Sequence, residues 1–279
     1  MPKKIFFLFV YGFAVFGVLL TGVFFAVKFD WTNESGIADT GRSMLSSNQT
    51  ASSSTSSPQG STSLGTPAWA KTDEWSTLKA AIVKDREAIY KASTVAGIPS
   101  RLLVASLMVE QLRLFSDNRE LFKTVFAPLQ ILGIQSQYSW GVMGMKQETA
   151  IAIENNLKDA SSPFYLGTLY EHLLDFTTDN PDQERFARLT DQHNRSYSYL
   201  YGALYLKELM TQWQKAGFDI SNKPDIVSTL FNIGFEHSRP NAAPQVGGAA
   251  IPIDGITYSF GGLAAEFYHS NELVDYFPN

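Results

Sequence analysis

The sequence predicts a mainly helical, all-α domain that follows one N-terminal transmembrane helix and a disordered linker. Three features of the chain predict this organisation. It opens on a long uncharged apolar run, continues through a stretch rich in Ser, Thr and Gly, and then shows apolar residues at helical spacing between capping residues and prolines. We therefore assign residues 1–30 to an anchor, 31–67 to the linker and 68–279 to the folded domain.

The apolar run from Ile5 to Val27 is long enough to cross a membrane as a helix, which takes about 20 residues. A cleaved signal peptide is the alternative, but its apolar region usually spans about 7–15 residues and ends at a small-x-small site. Lys3 and Lys4 precede the run. The positive-inside rule therefore places the N-terminus in the cytoplasm and the rest of a single-pass protein outside it.

The linker is poor in apolar residues, and residues 52–57 are all Ser or Thr. Such a segment cannot bury enough apolar surface to offset the entropy lost on ordering. We expect a flexible tether whose mean reach is roughly 30–35 Å.

The first helix of the domain is predicted to begin after the capping residue Thr72 and to end at Gly97. Its apolar residues recur at spacings that place them on one helical face. These residues are Trp75, Leu78, Ile82 and Ile89. The next helix starts at Pro99-Ser100 and is apolar at all but one position between Leu102 and Val109, so we expect it to be buried on every side.

The rest of the domain is also predicted to be helical, because cap-proline pairs and apolar periodicity recur along it. We expect at most one short strand. The predicted elements are helices that start at Ser162-Pro163 and Asn180-Pro181, helices over Arg195–Lys215, Pro224–Asn232 and Ser259–His269, and the strand near Ile251–Tyr258.

Composition and charge restrict the function. The 279 residues include no cysteine and carry a formal net charge of -5. The lack of cysteine excludes disulfide scaffolds, cysteine nucleophiles and thiolate zinc sites, and the acidic balance argues against nucleic acid as a partner. The four histidines show no paired-ligand spacing, so we expect no metal and no cofactor.

Glu110 is the candidate catalytic residue, since it ends the most apolar helix in the chain. Burial of a carboxyl group favours its neutral form, and a general acid has to be protonated near neutral pH. The alternative is that the helix merely reaches the surface here, because Gln111 and Arg113 follow.

Three segments carry a family pattern in the right order. Residues 97–110 lead from a glycine through the apolar helix to Glu110, residues 139–150 read Ser-Trp-Gly-Val-Met-Gly-Met-Lys-Gln-Glu-Thr-Ala, and residues 231–234 read Phe-Asn-Ile-Gly. Together they resemble the catalytic helix and the second and third motifs of the lytic transglycosylase and goose-type lysozyme superfamily. The resemblance covers about residues 88–234 and implies a lysozyme-like domain.

The chain departs from that family at four motif positions. Gln111 stands where the family has serine, Gly144 where it has glutamine, Gln147 where it has proline and Phe231 where it has tyrosine. The amide of Gln111 or of Gln147 is a candidate replacement for the glutamine missing at position 144. Phe231 keeps the ring but lacks the hydroxyl, which in the family lies near the catalytic carboxyl.

The resemblance implies cleavage of the MurNAc-GlcNAc β-1,4 bond of peptidoglycan by one glutamate, which leaves 1,6-anhydro-MurNAc ends. Glu110 would act first as acid and then as base. A hydrolase of this fold would need a second carboxylate. Asp117 and Glu120 follow the helix in our prediction and are the candidates, although both also suit a solvated loop.

The residues expected to bind substrate surround the motifs. Tyr138 and Trp140 offer rings for sugar stacking or for the core, while Ser139 and the backbone near Gly141 offer hydrogen bonds to acetamido groups. The segment 120–137 is either a lid or an ordinary helical insert. The expected substrate-binding residues are Gln111, Tyr138, Ser139, Trp140, Gly141, Met143, Gln147, Phe231 and Asn232.

The sequence thus favours a lytic transglycosylase anchored in the cytoplasmic membrane, with its domain on the periplasmic or cell-wall side and peptidoglycan strands as its partner. A non-catalytic wall-binding or scaffold module on the same fold is the alternative, motivated by Gly144, Gln147 and Phe231. A goose-type lysozyme that hydrolyses the bond is the third reading. A protein partner in an envelope assembly stays open.

Overall fold

The computed structural model describes residues 67–117 and 140–278, which all belong to one compact unit. Among these residues the chain forms eight α-helices and one two-stranded hairpin, which confirms the prediction of a mainly helical fold. The helices are α1 (Asp73–Lys84), α2 (Arg86–Ala96), α3 (Ser100–Asp117), α4 (Gln147–Lys158), α5 (Pro181–Thr190), α6 (Ser196–Lys215), α7 (Pro224–Ile233) and α8 (Phe260–His269). The predicted anchor, the linker up to residue 66 and the segment 118–139 lie outside the described residues.

No single helix in the described ranges is long and apolar enough to cross a membrane. Helix α2 and the part of α3 up to Phe115 reach the length and apolar composition of a membrane span only when they are taken together, and the pair is bent by 120°.

Two helices form where the sequence predicted one. Thr72 caps α1 as expected, and its hydroxyl accepts a hydrogen bond from the Trp75 amide at 3.2 Å. The helix then breaks at Asp85, whose carboxylate accepts hydrogen bonds from Arg195 and Tyr199 at 2.9 and 2.7 Å. These bonds tie the break to α6. The predicted apolar face is buried on both helices, and Gly97 ends α2 in a left-handed conformation.

Helix α3 is the centre of the fold. All its residues from Leu102 to Val109 are buried, as their composition predicted. Helices α1, α2, α6, α7 and α8 pack around it together with the first strand. A hydrogen bond of 3.0 Å between the buried hydroxyls of Ser106 and Ser228 fastens α3 to α7.

Arg101, in the first turn of α3, holds the C-terminal segment against this core. Its buried guanidinium donates five hydrogen bonds of 2.7–3.0 Å to backbone carbonyls. Several of these carbonyls end α8, where the helix leaves acceptors unused and where positive charge is favourable. The acceptors belong to Phe267, Tyr268, Ser270, Glu272 and Phe277.

A buried ion pair joins α4, α5 and α6. The Arg185 guanidinium donates two hydrogen bonds of 2.6 Å to Glu154, and the Tyr201 hydroxyl donates a third at 2.6 Å. Because both charges and their lone pairs are satisfied, the three helices are held in one arrangement. Burial, reinforced by the Glu154 carboxylate, raises the pKa of Tyr201, so its hydroxyl keeps its proton.

The helix predicted at Ser162-Pro163 is wrong. Ser162 instead stabilises a turn, since its hydroxyl accepts from the Phe164 amide at 3.1 Å and donates to Asn156 at 2.9 Å. A serine hydroxyl can accept a hydrogen bond from a nearby backbone amide either as a helix cap or in an isolated turn, and the sequence alone does not distinguish these two cases. The start at Asn180 is confirmed, since its side chain accepts from the Gln183 amide at 3.1 Å.

The predicted single strand is an antiparallel hairpin of β1 (Ala250–Ile253) and β2 (Ile256–Ser259), with Ile251 opposite Tyr258. Asp254 and Gly255 form its two-residue turn, and both have positive φ angles, of 47° and 78°. Asp-Gly is a strong signal for this kind of turn, so the second strand was readable from the sequence.

Replacing Arg101 by lysine should destabilise the domain by about 2–4 kcal/mol, because an ammonium group cannot serve all five carbonyls, which are buried or partly buried. Urea unfolding of the full-length chain, followed by tryptophan fluorescence, measures this loss. Arg86→Lys, on the exposed face of α2, is the matched control and should stay within about 0.5 kcal/mol of wild type. An unchanged midpoint for Arg101→Lys would contradict the role given to this side chain.

The stability of the domain should also depend on Glu208, which is fully buried on α6. Its Oε2 accepts from Asn156 at 3.0 Å, and within the described structure its Oε1 is buried without a hydrogen-bond partner. Burial raises the pKa of Glu208 well above its ordinary value. The acid is therefore protonated in the folded chain under conditions in which the unfolded chain ionises it.

Because the pKa of Glu208 is higher in the folded chain than in the unfolded chain, its contribution to the free energy of unfolding depends on pH. The contribution is fully present below the unfolded pKa of about 4.3 and is lost as the pH rises towards the folded value. Glu208→Gln should remove the loss, so its stability relative to wild type should grow between pH 5 and 8, by at most about 1.4 kcal/mol per pH unit. Urea midpoints across that range test this. The exposed control Glu148→Gln should run parallel to wild type, and a parallel curve for Glu208→Gln would overturn the argument.

Candidate active site on helix α3

Contrary to our prediction, Glu110 does not end its helix, because α3 continues for about two more turns to Asp117. Its side chain is buried, and the residue is only 4% exposed. Gln111 and Leu112, which follow it, are buried as well. The helix therefore does not reach the surface at Glu110, and the carboxyl group needs partners inside the protein.

One side of the carboxyl group is a tight turn over residues 140–145, which we call the glycine turn. Trp140 and Met145 close it with two backbone hydrogen bonds of 2.7 and 3.0 Å, and the Gly144 amide donates to the Gly141 carbonyl at 3.2 Å. Gly141 and Gly144 have φ angles of +67° and +58°. Side chains rarely adopt this left-handed region, so glycine at both positions makes the turn accessible.

The glycine turn is fixed to α3 by Gln111, whose side-chain amide donates to the Val142 carbonyl at 2.6 Å. This amide therefore has a positioning role. Gln147 is the first residue of α4 and is half-buried, so the turn runs directly into that helix.

The other side of the glycine turn rests on α6 and the end of α5. Met143 is fully buried against Gly202, where an added Cβ would lie 2.8 Å from the methionine Cε. The backbone at Gly141 lies against the Leu189 carbonyl and the Ser198 hydroxyl, since a Cβ there would be 2.6 Å from Ser198 Oγ. Close packing of glycine on both sides leaves the turn little freedom.

Gly144 is in direct contact with the Glu110 carboxyl group. A Cβ at position 144 would lie 2.6 Å from Glu110 Cδ and closer still to Oε1. The carboxyl group thus fills the space that any side chain at 144 would need. Glu110 in this position and a side chain at position 144 therefore cannot occupy the space together.

Among the described residues Glu110 also pairs with Arg113, one helical turn further along α3. Its Nη2 lies 2.6 Å from Oε1 and its Nε 3.2 Å from Oε2, while the arginine side chain is 25% exposed. The paired guanidinium favours the ionised carboxylate, whereas burial favours the neutral acid. Sequence reasoning took Arg113 only as a sign of the surface, although its i, i+3 spacing from Glu110 was available as a signal.

The third motif is part of the hydrophobic core. Phe231 is 8% exposed, and its ring packs on those of Tyr205 and Phe260 with centroids 5.1 and 6.3 Å apart. The Asn232 Oδ1 accepts from the Ala249 amide at 2.8 Å and so fastens α7 to the segment before β1. Both residues have a demonstrable packing or positioning role.

The structure brings several predicted site residues together and separates or omits others. Glu110, Gln111 and the glycine turn with Trp140, Gly141 and Met143 form one neighbourhood. We had expected Asp117 to follow the helix. It is instead the last residue of α3. Outside the described ranges lie the predicted site residues Tyr138 and Ser139 and the whole segment 120–137, which includes Glu120.

Metal chemistry finds no support in the described ranges, where no three His, Asp or Glu side chains come close enough to hold an ion. Known proteins add no assignment, since no family model matches the chain, no curated protein matches its sequence and no solved structure matches its fold. The function has to be argued from the site.

Gly144→Ala tests the fit between the glycine turn and Glu110. It adds backbone strain in the left-handed region and forces the carboxyl group to move, so we expect a loss of about 1–3 kcal/mol with the fold retained. Urea unfolding measures the loss. Gly217→Ala is the matched control, because Gly217 also has a positive φ of 86° but nothing within 4 Å of an added Cβ. Equal losses for the two variants would show that the carboxyl contact is unimportant.

Proposed function

We propose that the chain is a peptidoglycan lytic transglycosylase that cleaves the MurNAc-GlcNAc β-1,4 bond with Glu110 as its single acid and base. The observation that supports the proposal most strongly is the buried Glu110 carboxyl group, which lies on the core helix α3 and against the glycine turn that the second motif forms. The three ordered motifs support a lysozyme-like domain. The run from Ile5 to Val27 supports a membrane anchor with this domain outside the cytoplasm.

In the first step the protonated Glu110 gives its proton to the glycosidic oxygen as the bond to C1 breaks. The N-acetyl group of the substrate stabilises the positive centre that develops at C1. In the second step the carboxylate takes the proton of the sugar's own 6-hydroxyl, whose oxygen bonds to C1. The products are a new hydroxyl end and a 1,6-anhydro end, no water is consumed, and Glu110 is protonated again.

Arg113 suits this cycle because Glu110 has to work in both protonation states. Burial favours the acid needed in the first step, and the guanidinium favours the carboxylate left after it. The mechanism requires the Arg113 side chain, which is 25% exposed, to leave the carboxyl group when a glycosidic oxygen enters.

A non-catalytic peptidoglycan-binding module on the same fold is the second candidate. Two observations favour it: the close ion pair that holds Glu110 in the resting structure, and the ring of Phe231 without a hydroxyl. A module of this kind would bind glycan strands through the same neighbourhood and release no product.

Digestion of purified peptidoglycan with the full-length chain in detergent, followed by mass spectrometry, tests the proposal. Wild type should release anhydro-muropeptides, and Glu110→Gln should reduce their release by about 10²–10⁴-fold, because it removes the transferable proton. Glu87→Gln, which neutralises an exposed carboxylate on α2, should behave like wild type.

Each outcome decides between the candidates. Products heavier by one water, with reducing ends, would indicate a hydrolase and a second carboxylate. Binding to the wall without product, unchanged in Glu110→Gln, would indicate the non-catalytic module. Turnover at the wild-type rate by Glu110→Gln would contradict the mechanism.

A further inference from the structure

Phe186 is a large apolar residue on the exposed face of the polar helix α5. Helix α5 is otherwise largely polar, with the sequence Pro-Asp-Gln-Glu-Arg-Phe-Ala-Arg-Leu-Thr, yet the Phe186 ring is 43% exposed. A single exposed apolar residue is ordinary on a protein surface. What distinguishes Phe186 is the group beside it.

The Phe186 ring packs edge to face on Trp140, with centroids 5.2 Å apart and planes at 89°. Trp140 is half-buried and begins the glycine turn, where two backbone hydrogen bonds to Met145 fix it. The pair, which we call the aromatic ledge, therefore belongs to the same turn that places Gly144 against the Glu110 carboxyl.

Helix α5 holds the ledge in place from its other side. Arg185 is locked in the buried ion pair with Glu154, and Arg188 donates to the backbone carbonyls of Leu174 and Asp175 at 3.0 and 2.7 Å. Leu189, one turn after Phe186, has its carbonyl against Gly141. The ring thus stands on an anchored helix next to the turn, so little entropy is lost when it binds a ligand.

We propose that Phe186 and Trp140 form a stacking subsite for one N-acetylhexosamine ring of the glycan strand whose bond lies at Glu110. The subsite rests on the proposed function and extends it to a residue outside the three motifs. The C–H face of a pyranose ring is apolar and rigid, and two uncharged aromatic rings set at right angles offer it a face and an edge.

The size of the ledge favours a sugar over a protein partner. Each aromatic ring contributes at most about 150–250 Å², part of which the two rings bury against each other. A stable protein interface takes about 800 Å² from each partner. One sugar ring needs no more surface than the ledge supplies.

Binding of peptide-free strands of alternating N-acetylglucosamine and N-acetylmuramic acid to the full-length Glu110→Gln chain tests the subsite without turnover. Phe186→Ala should weaken binding in calorimetry by about five- to tenfold, and Phe186→Tyr, which keeps the ring, should bind within about twofold of the parent. Leu169→Ala is the control, because Leu169 is 89% exposed and lies on the Thr168–Tyr170 turn. It should not change the affinity.

Two further readouts separate binding from structure. Strand binding should change the emission of Trp140, and Trp140→Phe should abolish that change. With Glu110 restored, Phe186→Ala should raise KM by a similar factor and leave kcat within about twofold. Undiminished strand binding by a folded Phe186→Ala chain would overturn the subsite even if anhydro products are made. Weakened binding without any product would uphold it while the transglycosylase proposal fails.

Discussion

A carboxyl group buried on an apolar helix has to be given partners by the surrounding chain, and Glu110 imposes this requirement on the structure. Among the described residues, the Arg113 guanidinium and the backbone at Gly144 contact it. Gly141 and Gly144, with their left-handed conformations, and the Gln111 amide serve this requirement, since they bring the glycine turn against the carboxyl group.

The remaining helices bury α3, and hydrogen-bonded polar side chains between them fix their arrangement. Arg101 satisfies the carbonyls that end α8, while Arg185 and Glu154 join α4 to α5. Removing one partner of such a group leaves a buried polar atom unsatisfied, which costs more than the bond contributes. These buried groups therefore fix how the helices around α3 pack on one another.

Local patterns carried most of what the sequence predicted. Apolar spacing and caps identified α3, α6, α7 and α8 and marked Glu110 as part of a buried helix, because these signals act within a few turns. They placed the end of α3 at Glu110, about two turns too early. The break at Asp85 and the role of Arg113 depend on what a side chain meets across the fold, which spacing does not report. Phe186 was missed for the same reason, since only the packing of α5 on the glycine turn places its ring beside Trp140.

A crystal structure of the full-length Glu110→Gln chain with a bound peptidoglycan tetrasaccharide tests the central claim most directly. The account predicts a glycosidic oxygen within about 3 Å of the side chain at position 110, with Arg113 turned away from it. A saccharide bound with all its glycosidic oxygens far from that side chain, and Arg113 still against it, would contradict the claim that Glu110 delivers the proton.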